Sequence, residues 1–145
     1  MLLTLDSSVV VASLVEGEKC HLQCKALMEK LANFEFVAIM PYSVFVEVVA
    51  AIRRRTDSEE LAERVGKDLK SMDSIFFLEI LQFRAEEAAD LAMKTGLRGM
   101  DAIVAQIAKE SNSILITLDG EMAVKSECHV KTNTIENILE ELSGK

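Results

Sequence analysis

Four short apolar runs, rich in β-branched and aromatic residues, alternate along the chain with segments of helical periodicity. These runs are LLTL, FEFVAIMP, SIFFLEI and SILITLD. Apolar runs of this length, separated by helices, predict parallel strands joined by helical crossovers. HVKT, further along, is a candidate for a short fifth strand. We therefore expect an α/β fold with a mostly parallel central sheet of four to five strands.

Helices are predicted between these strands from apolar spacing and from residues typical of helix ends. Pro41 closes the second strand and favours a helix start, and Asp119 with Gly120 is expected to form a turn. Neither a low-complexity linker nor an internal repeat interrupts the chain, so we expect one domain over residues 1–145. The predicted helices are Ser7 to Val15, Glu18 to Asn33, Tyr42 to Arg55, a helix capped by Asp57 or Ser58 and reaching Ser71, Arg84 to Thr95, an apolar helix opened by Asp101, and Thr134 to Leu142.

The charge balance limits the kinds of function open to the chain. Twenty-four acidic side chains against 16 basic ones give a formal charge of −8. This weighs against a protein that holds nucleic acid by bulk electrostatics, because neutralising phosphates takes Lys and Arg. It leaves open an enzyme that concentrates carboxylates at a metal site. An acidic surface with no further role is the plainer alternative.

The N-terminus has no basic leader, and Asp6 interrupts its apolar stretch, so no signal peptide is predicted. The longest uncharged run, from Phe36 to Val46, is shorter than the roughly 20 residues that span a bilayer. We expect a cytoplasmic protein with no membrane partner.

Cysteine and histidine offer a weak alternative metal site. Cys20 and Cys24 are one helical turn apart with His21 between them, and Cys128 with His129 could complete a set. A structural zinc site takes four ligands, but the chain has no paired C-x-x-C spacing. Reduced thiols on a helix explain the pattern better.

Two aspartates follow predicted strands, and a third begins a helix. Ligands of parallel sheets bind beyond the carboxyl ends of the strands, where Asp6 and Asp119 are expected. Each acid also has a structural explanation. Asp6 could cap the first helix, Asp101 could favour its helix through the macrodipole, and Asp119 could be a turn residue.

Glu47 is harder to explain structurally, because every neighbour from Val44 to Ile52 is apolar. A helix that is apolar all round is expected to be buried, and burying an unpaired carboxylate is costly. Ser43 lies one turn earlier and could orient the carboxylate. A narrow solvated stripe that carries both residues is the alternative.

Together, these four acids predict a metal site. Clustered carboxylates repel one another unless hard cations bind among them, and Mg²⁺ and Mn²⁺ prefer such oxygen ligands. Two such ions can activate water and stabilise the leaving oxygen of a phosphodiester. This chemistry requires no cysteine or histidine nucleophile, and the chain offers no good candidate.

Four motifs in this order resemble those of the PIN-domain nucleases. LDSSVVVASL resembles the first motif, SVFVEVVAAI the helix that carries the family's glutamate, GMDAIVAQIA the third motif and LITLDGEM the fourth. Each motif is short, but together they span the chain. Met122 stands where the family more often has Phe.

This resemblance implies roles for particular residues. Asp6, Glu47, Asp101 and Asp119 would be the catalytic and metal-binding acids. It also implies a three-layer fold with helices on both faces of the sheet, an RNA substrate, a homodimer, and for VapC-type members a toxin ribonuclease held by an antitoxin. The supporting residues would be Ser8 and Thr117 as hydroxyls behind the acids, with Glu121 as an extra acid.

Arg98, three residues before Asp101, is the best candidate for an RNA contact, and Arg53 is a second. The other basic candidates are Arg54, Arg55 and Lys94. For Arg53 to Arg55, favourable charge at a helix C-terminus is the alternative. Three other functions remain open: a PIN-domain nuclease of RNA processing without an antitoxin, a catalytically idle PIN-like interaction domain, and a phosphatase or receiver-like domain. The last fits poorly, because FFLEI ends without an Asp and LITLDG carries no adjacent Lys. The idle domain would be expected to have a damaged acid set.

Overall fold

The computed structural model describes residues 1–144. Its central sheet has four strands, all parallel, in the order β3-β2-β1-β4. The inner strands bury apolar residues such as Leu3, Leu5 and Met40, as expected of parallel strands covered on both faces. The strands are β1 (Leu2–Leu5), β2 (Val37–Pro41), β3 (Ile75–Leu78) and β4 (Ile114–Ile116).

Eight helices connect and follow these strands within the described residues. Two of them, α1 and α2, link β1 to β2, the pair α3 and α4 links β2 to β3, and the pair α5 and α6 links β3 to β4. The helices are α1 (Ser7–Leu14), α2 (His21–Ala32), α3 (Tyr42–Thr56), α4 (Glu59–Ser71), α5 (Gln82–Thr95), α6 (Gly99–Ser111), α7 (Gly120–Ser126) and α8 (Ile135–Ser143).

The strand order explains how both faces of the sheet are covered. From β1 to β3 the chain steps in one direction, and it then crosses back to place β4 on the other side of β1. Right-handed crossovers in opposite directions place their helices on opposite faces. The three-layer α/β fold with a parallel sheet is therefore confirmed. The order reverses between β1 and β4, which is where such sheets form a ligand crevice.

The helix boundaries follow local chemistry. The side chain of Ser58 caps α4 by accepting a hydrogen bond from the N–H of Leu61 at 3.0 Å. Before α2 the chain turns through Gly17 and Cys20, both with positive φ, so this helix begins at His21 and not at the predicted Glu18. Of the two caps predicted for α4, Asp57 and Ser58, it is Ser58 that caps the helix.

Three predictions about local structure were wrong. HVKT does not form a fifth strand: only Thr132 pairs with the sheet, through an isolated bridge to Leu115. The predicted turn at Gly120 is instead the start of α7, and Asp119 caps this helix. In addition, α6 begins at Gly99, so Asp101 lies inside its first turn and does not open it.

No helix within residues 1–144 combines the length and the apolar character that crossing a membrane requires.

Candidate active site

Asp6 lies at the switch point of the sheet, directly after β1 and beside the end of β4. Its backbone N–H donates to the carbonyl of Ile116 at 3.0 Å, which continues the pairing of the two strands by one residue. Its side chain is only 6% exposed. Although Asp6 occupies the N-cap position of α1, its side chain makes no capping hydrogen bond. The carboxylate of Asp6 therefore does not cap the helix, which was the structural alternative for this acid.

Two hydroxyls hold one oxygen of this carboxylate. Oδ2 of Asp6 accepts hydrogen bonds from Ser8 Oγ at 2.8 Å and from Thr117 Oγ1 at 2.9 Å. These hydroxyls are fixed in turn, because Ser8 Oγ accepts the N–H of Leu118 and Thr117 Oγ1 accepts the N–H of Asp119. Within residues 1–144, Oδ1 of Asp6 receives no hydrogen bond. The protein thus orients one oxygen of this carboxylate, and the other makes no hydrogen bond within residues 1–144.

Glu47 lies on α3 and approaches Asp6 from the neighbouring strand connection. It is half-buried, and Val46 beside it is 61% exposed, so α3 is not buried all round as predicted. Burial raises the pKa of the Glu47 carboxyl, the charge of Asp6 raises it further, and a hydrogen bond from Ser7 opposes the increase. The surroundings of Glu47 therefore disfavour the ionised form of its carboxyl.

The expected contact between Ser43 and Glu47 is absent. The buried hydroxyl of Ser43 has no hydrogen-bond partner within residues 1–144. Ser7 Oγ donates to Glu47 Oε2 instead, at 3.3 Å. Spacing along α3 suggested Ser43, whereas the actual partner comes from α1, 40 residues away in sequence.

Asp101 lies in the first turn of α6, where the helix dipole favours an acid. Nevertheless, burial raises the pKa of its carboxyl, and the charges of Asp6 and Asp119 raise it further. Arg98, the residue before α6, partly opposes this increase. Two acids on different helices thus carry raised pKa values, and the charge of Asp6 contributes to both.

Asp119 performs a structural task as well. Its Oδ1 accepts the N–H groups of Glu121 at 3.0 Å and Met122 at 3.1 Å, which caps α7. The side chain of Glu121 is exposed and accepts a hydrogen bond from Lys125 at 2.6 Å, which lowers the pKa of its carboxyl. Glu121 is thus paired on the surface of α7.

Replacement of Asp119 by Ala is expected to lower the free energy of unfolding by about 1 kcal/mol, because two capped N–H groups lose their acceptor. Asp119→Asn should cost much less, since Asn is an equally good N-cap. Urea denaturation midpoints of the two variants test this difference. Equal losses in both would mean that the charge of Asp119, and not its capping oxygen, stabilises the fold.

Two open clefts meet at these acids. The α1–α3 cleft, of about 580 Å³, lies between those two helices and is lined by Glu47 and Asp119 among others. The α5–α6 cleft, of about 660 Å³, is lined by the same two acids together with Asp101. Asp6, Glu47, Asp101 and Asp119 are called the acid site below. Its members come from four separate segments of the chain.

The predicted RNA contacts divide between these clefts and the open surface. Arg98 lines the α5–α6 cleft, as its position before Asp101 suggested. Arg53 lines neither cleft and pairs with Asp57 at 2.6 Å. The next residue, Arg54, lines the α1–α3 cleft together with Lys19. Successive helical residues face different directions, so the run of three arginines did not reveal that Arg54 and Arg55 line this cleft and that Arg53 does not.

Among residues 1–144, no three Asp, Glu, His or Cys side chains converge closely enough to hold a metal ion as they stand. This applies both to the cysteine and histidine alternative, for which Cys20 and Cys24 were the main candidates, and to the four acids.

The comparisons with known proteins give the family. The model of the PIN domain family matches residues 3–127, and the chain therefore belongs to the PIN domain family. No curated protein sequence matches the chain significantly.

Several solved structures share this fold over most of its length. PAE2754 from Pyrobaculum aerophilum is 22% identical, with a TM-score of 0.72 over 100% of this chain and 97% of that one. VapC20 from Mycobacterium tuberculosis, described as a sarcin-ricin loop cleaving toxin, is 16% identical, with a TM-score of 0.71 over 84% of this chain and 93% of that one. VapBC2 from Rickettsia felis, solved with a DNA fragment from its promoter, is 15% identical, with a TM-score of 0.64 over 92% of this chain and 98% of that one.

Proposed function

We propose that this PIN-domain protein is a metal-dependent endoribonuclease, and that the acid site hydrolyses RNA phosphodiester bonds. The observation that carries the proposal is the environment of Asp6. This buried carboxylate lies at the switch point of the sheet, two hydroxyls orient one of its oxygens, and its charge raises the pKa of both Glu47 and Asp101. Acids that repel one another in a crevice favour the binding of a hard cation.

The donor set fits Mg²⁺ or Mn²⁺. All four side chains offer carboxylate oxygens, and Oδ1 of Asp6 is free of hydrogen bonds within residues 1–144. We assign the metal to Asp6, Glu47, Asp101 and Asp119, and Ser7, Ser8 and Thr117 orient two of these acids. When bound, such a cation lowers the pKa of water and stabilises charge on a phosphate.

Cleavage within a strand, and not only at its end, is supported by the shape of the site. The two clefts both reach Glu47 and Asp119, and their other walls come from different helices, α1 and α3 in one cleft and α5 and α6 in the other. A strand that lies in both clefts would continue past the acid site in each direction. We therefore infer an endonuclease.

The toxin of a toxin–antitoxin pair is the biological role we propose, acting in the cytoplasm as a homodimer. Solved structures with this fold include a toxin–antitoxin complex from Klebsiella pneumoniae and VapBC-1 from Haemophilus influenzae, which supports an antitoxin partner. Exposed apolar side chains near β3 support self-association. They are Phe76, Ile80, Leu81 and Phe83.

Two alternatives within the family lead to different expectations. A PIN nuclease of RNA processing would cut RNA but have no antitoxin, whereas an idle interaction domain would not cut at all. All four acids are intact, which favours an active enzyme. A small reading frame directly upstream that encodes a DNA-binding protein would favour the toxin.

The purified protein is expected to cut total cellular RNA when Mg²⁺ or Mn²⁺ is present and to stop when the metal is chelated. Gel analysis of RNA fragments measures this, and Asp6→Asn serves as the control for contaminating nucleases. Total RNA is the right substrate, because it includes structured targets that a short oligonucleotide would miss. Full activity in chelator, or no cleavage with either metal, would overturn the proposal.

A further inference from the structure

Three basic side chains in the cleft walls make no ion pair within residues 1–144: Lys19, Arg54 and Arg98. Lys19 and Arg54 line the α1–α3 cleft, and Arg98 lines the α5–α6 cleft. All three are exposed. Their charges are thus available to a ligand on both sides of the acid site.

Among the three successive arginines at the end of α3, only Arg54 makes no ion pair within residues 1–144. Arg53 is paired with Asp57, and Arg55 is paired with Glu18, so two of the three successive arginines already have acidic partners. Arg54 has none, although Glu47 and Asp119 line the same cleft. A favourable charge at the end of α3 is common to all three and does not distinguish them.

An unpaired cationic side chain contributes more to RNA binding in this acidic protein than it would in a basic one. The formal charge of −8 repels a polyanion at long range, so binding of RNA depends on local positive charge. Cations on both sides of the acids would hold the phosphates that flank the one being cut. Those phosphates position a strand but carry no sequence information.

We propose that Lys19 and Arg54 bind backbone phosphates of the RNA on one side of the scissile bond, with Arg98 on the other side. This rests on the proposed ribonuclease function and identifies the residues that hold the strand. A single-stranded RNA is the occupant favoured by the site, because the cleft that carries Lys19 and Arg54 is continuous with the acids that would cut it. An acidic protein segment is the rival occupant.

The test compares Lys19→Gln/Arg54→Gln with Arg53→Gln, which removes a neighbouring charge outside both clefts. Each is made in an Asp6→Asn background, so that RNA survives in Mg²⁺. Fluorescence anisotropy measures binding of a labelled single-stranded RNA of about 12 nucleotides, within the range of known single-strand sites. The affinity is recorded over a series of salt concentrations, with a poly-glutamate peptide as a second probe.

Each lost phosphate contact should flatten the plot of log affinity against log salt by about 0.7, so the double variant should flatten it by about 1.4. At low salt its affinity should fall at least about fivefold, equally for RNAs of different sequence. In the otherwise unmutated enzyme, the same two replacements should raise KM, with kcat nearly unchanged.

Equal slopes for the double variant and Arg53→Gln would overturn the assignment while leaving the ribonuclease in place. Loss of peptide binding with unchanged RNA binding would assign the two cations to an acidic protein partner and would also overturn it. Failure of the unmutated protein to cut RNA would instead refute the proposed function and this inference together.

Discussion

Asp6→Asn is expected to reduce the rate of RNA cleavage at least about 100-fold. Loss of a residue that only supports a metal ligand typically costs 10- to 100-fold, and Asp6 is assigned as a ligand itself. The amide oxygen of Asn can still accept the hydrogen bonds of Ser8 and Thr117, so the fold should be retained. Initial rates on total RNA, with thermal melts to verify folding, measure the effect.

The other three acids should behave in the same way. Glu47→Gln, Asp101→Asn and Asp119→Asn are each expected to remove most of the activity, and Glu121→Gln should be milder, because Glu121 is exposed and paired with Lys125. Since residues that act as a unit are not additive, a double variant should be little worse than the worst single one. Asp73→Asn, which changes an exposed acid on a loop, is the matched control. Wild-type rates in Glu47→Gln would remove Glu47 from the catalytic set.

Asp101→Asn is expected to melt at the same or a higher temperature than the unmutated protein when metal is chelated. Burial and the charges of Asp6 and Asp119 raise the pKa of this carboxyl in the folded state. The folded state then binds more protons than the unfolded state between the ordinary pKa and the raised one. Stability therefore falls as pH rises through that window, and the ionised group is unfavourable at neutral pH.

Magnesium should reverse this order. A cation that binds only the folded protein stabilises it by about 2.7 kcal/mol at 100 times its dissociation constant. Asp101→Asn lacks one ligand and should gain less. Thermal melts of both proteins in chelator and in Mg²⁺, repeated near pH 5 and pH 7, measure the effect. A variant far less stable than the unmutated protein in chelator would show that Asp101 is a structural acid.

The sequence predicted the sheet and most helices because their signals are local. Apolar runs, and a helix cap such as Ser58, can be recognised from a few neighbouring residues. The prediction of a strand at HVKT was wrong. β4 has only three residues, so it offers few backbone groups with which a neighbouring strand could pair. Asp119 with Gly120 is as typical of a turn as of a helix start, and only the two capped N–H groups distinguish them.

In the candidate site, the sequence did not predict the contacts that form between segments far apart along the chain. The acids could be named because each lies beside a recognisable strand or helix. Ser7 could not be named as the partner of Glu47, because the packing of α1 against α3 decides that contact. Lys19 was not named for the same reason, and Arg54 could not be distinguished from Arg53, since the direction of an exposed side chain on a helix or loop depends on what packs around it.

The hydroxyl of Thr117 and the carboxylate of Asp6 are 111 positions apart in the chain, yet they share a hydrogen bond. After Asp6, a ribosome must therefore add 111 further residues before the pair can form. Until β4 has docked beside β1, the nascent chain has no organised acid site, so a polypeptide that stalls or is cleaved before that point should be inert. Such late assembly ties the onset of the proposed activity to the synthesis of β4 and Asp119.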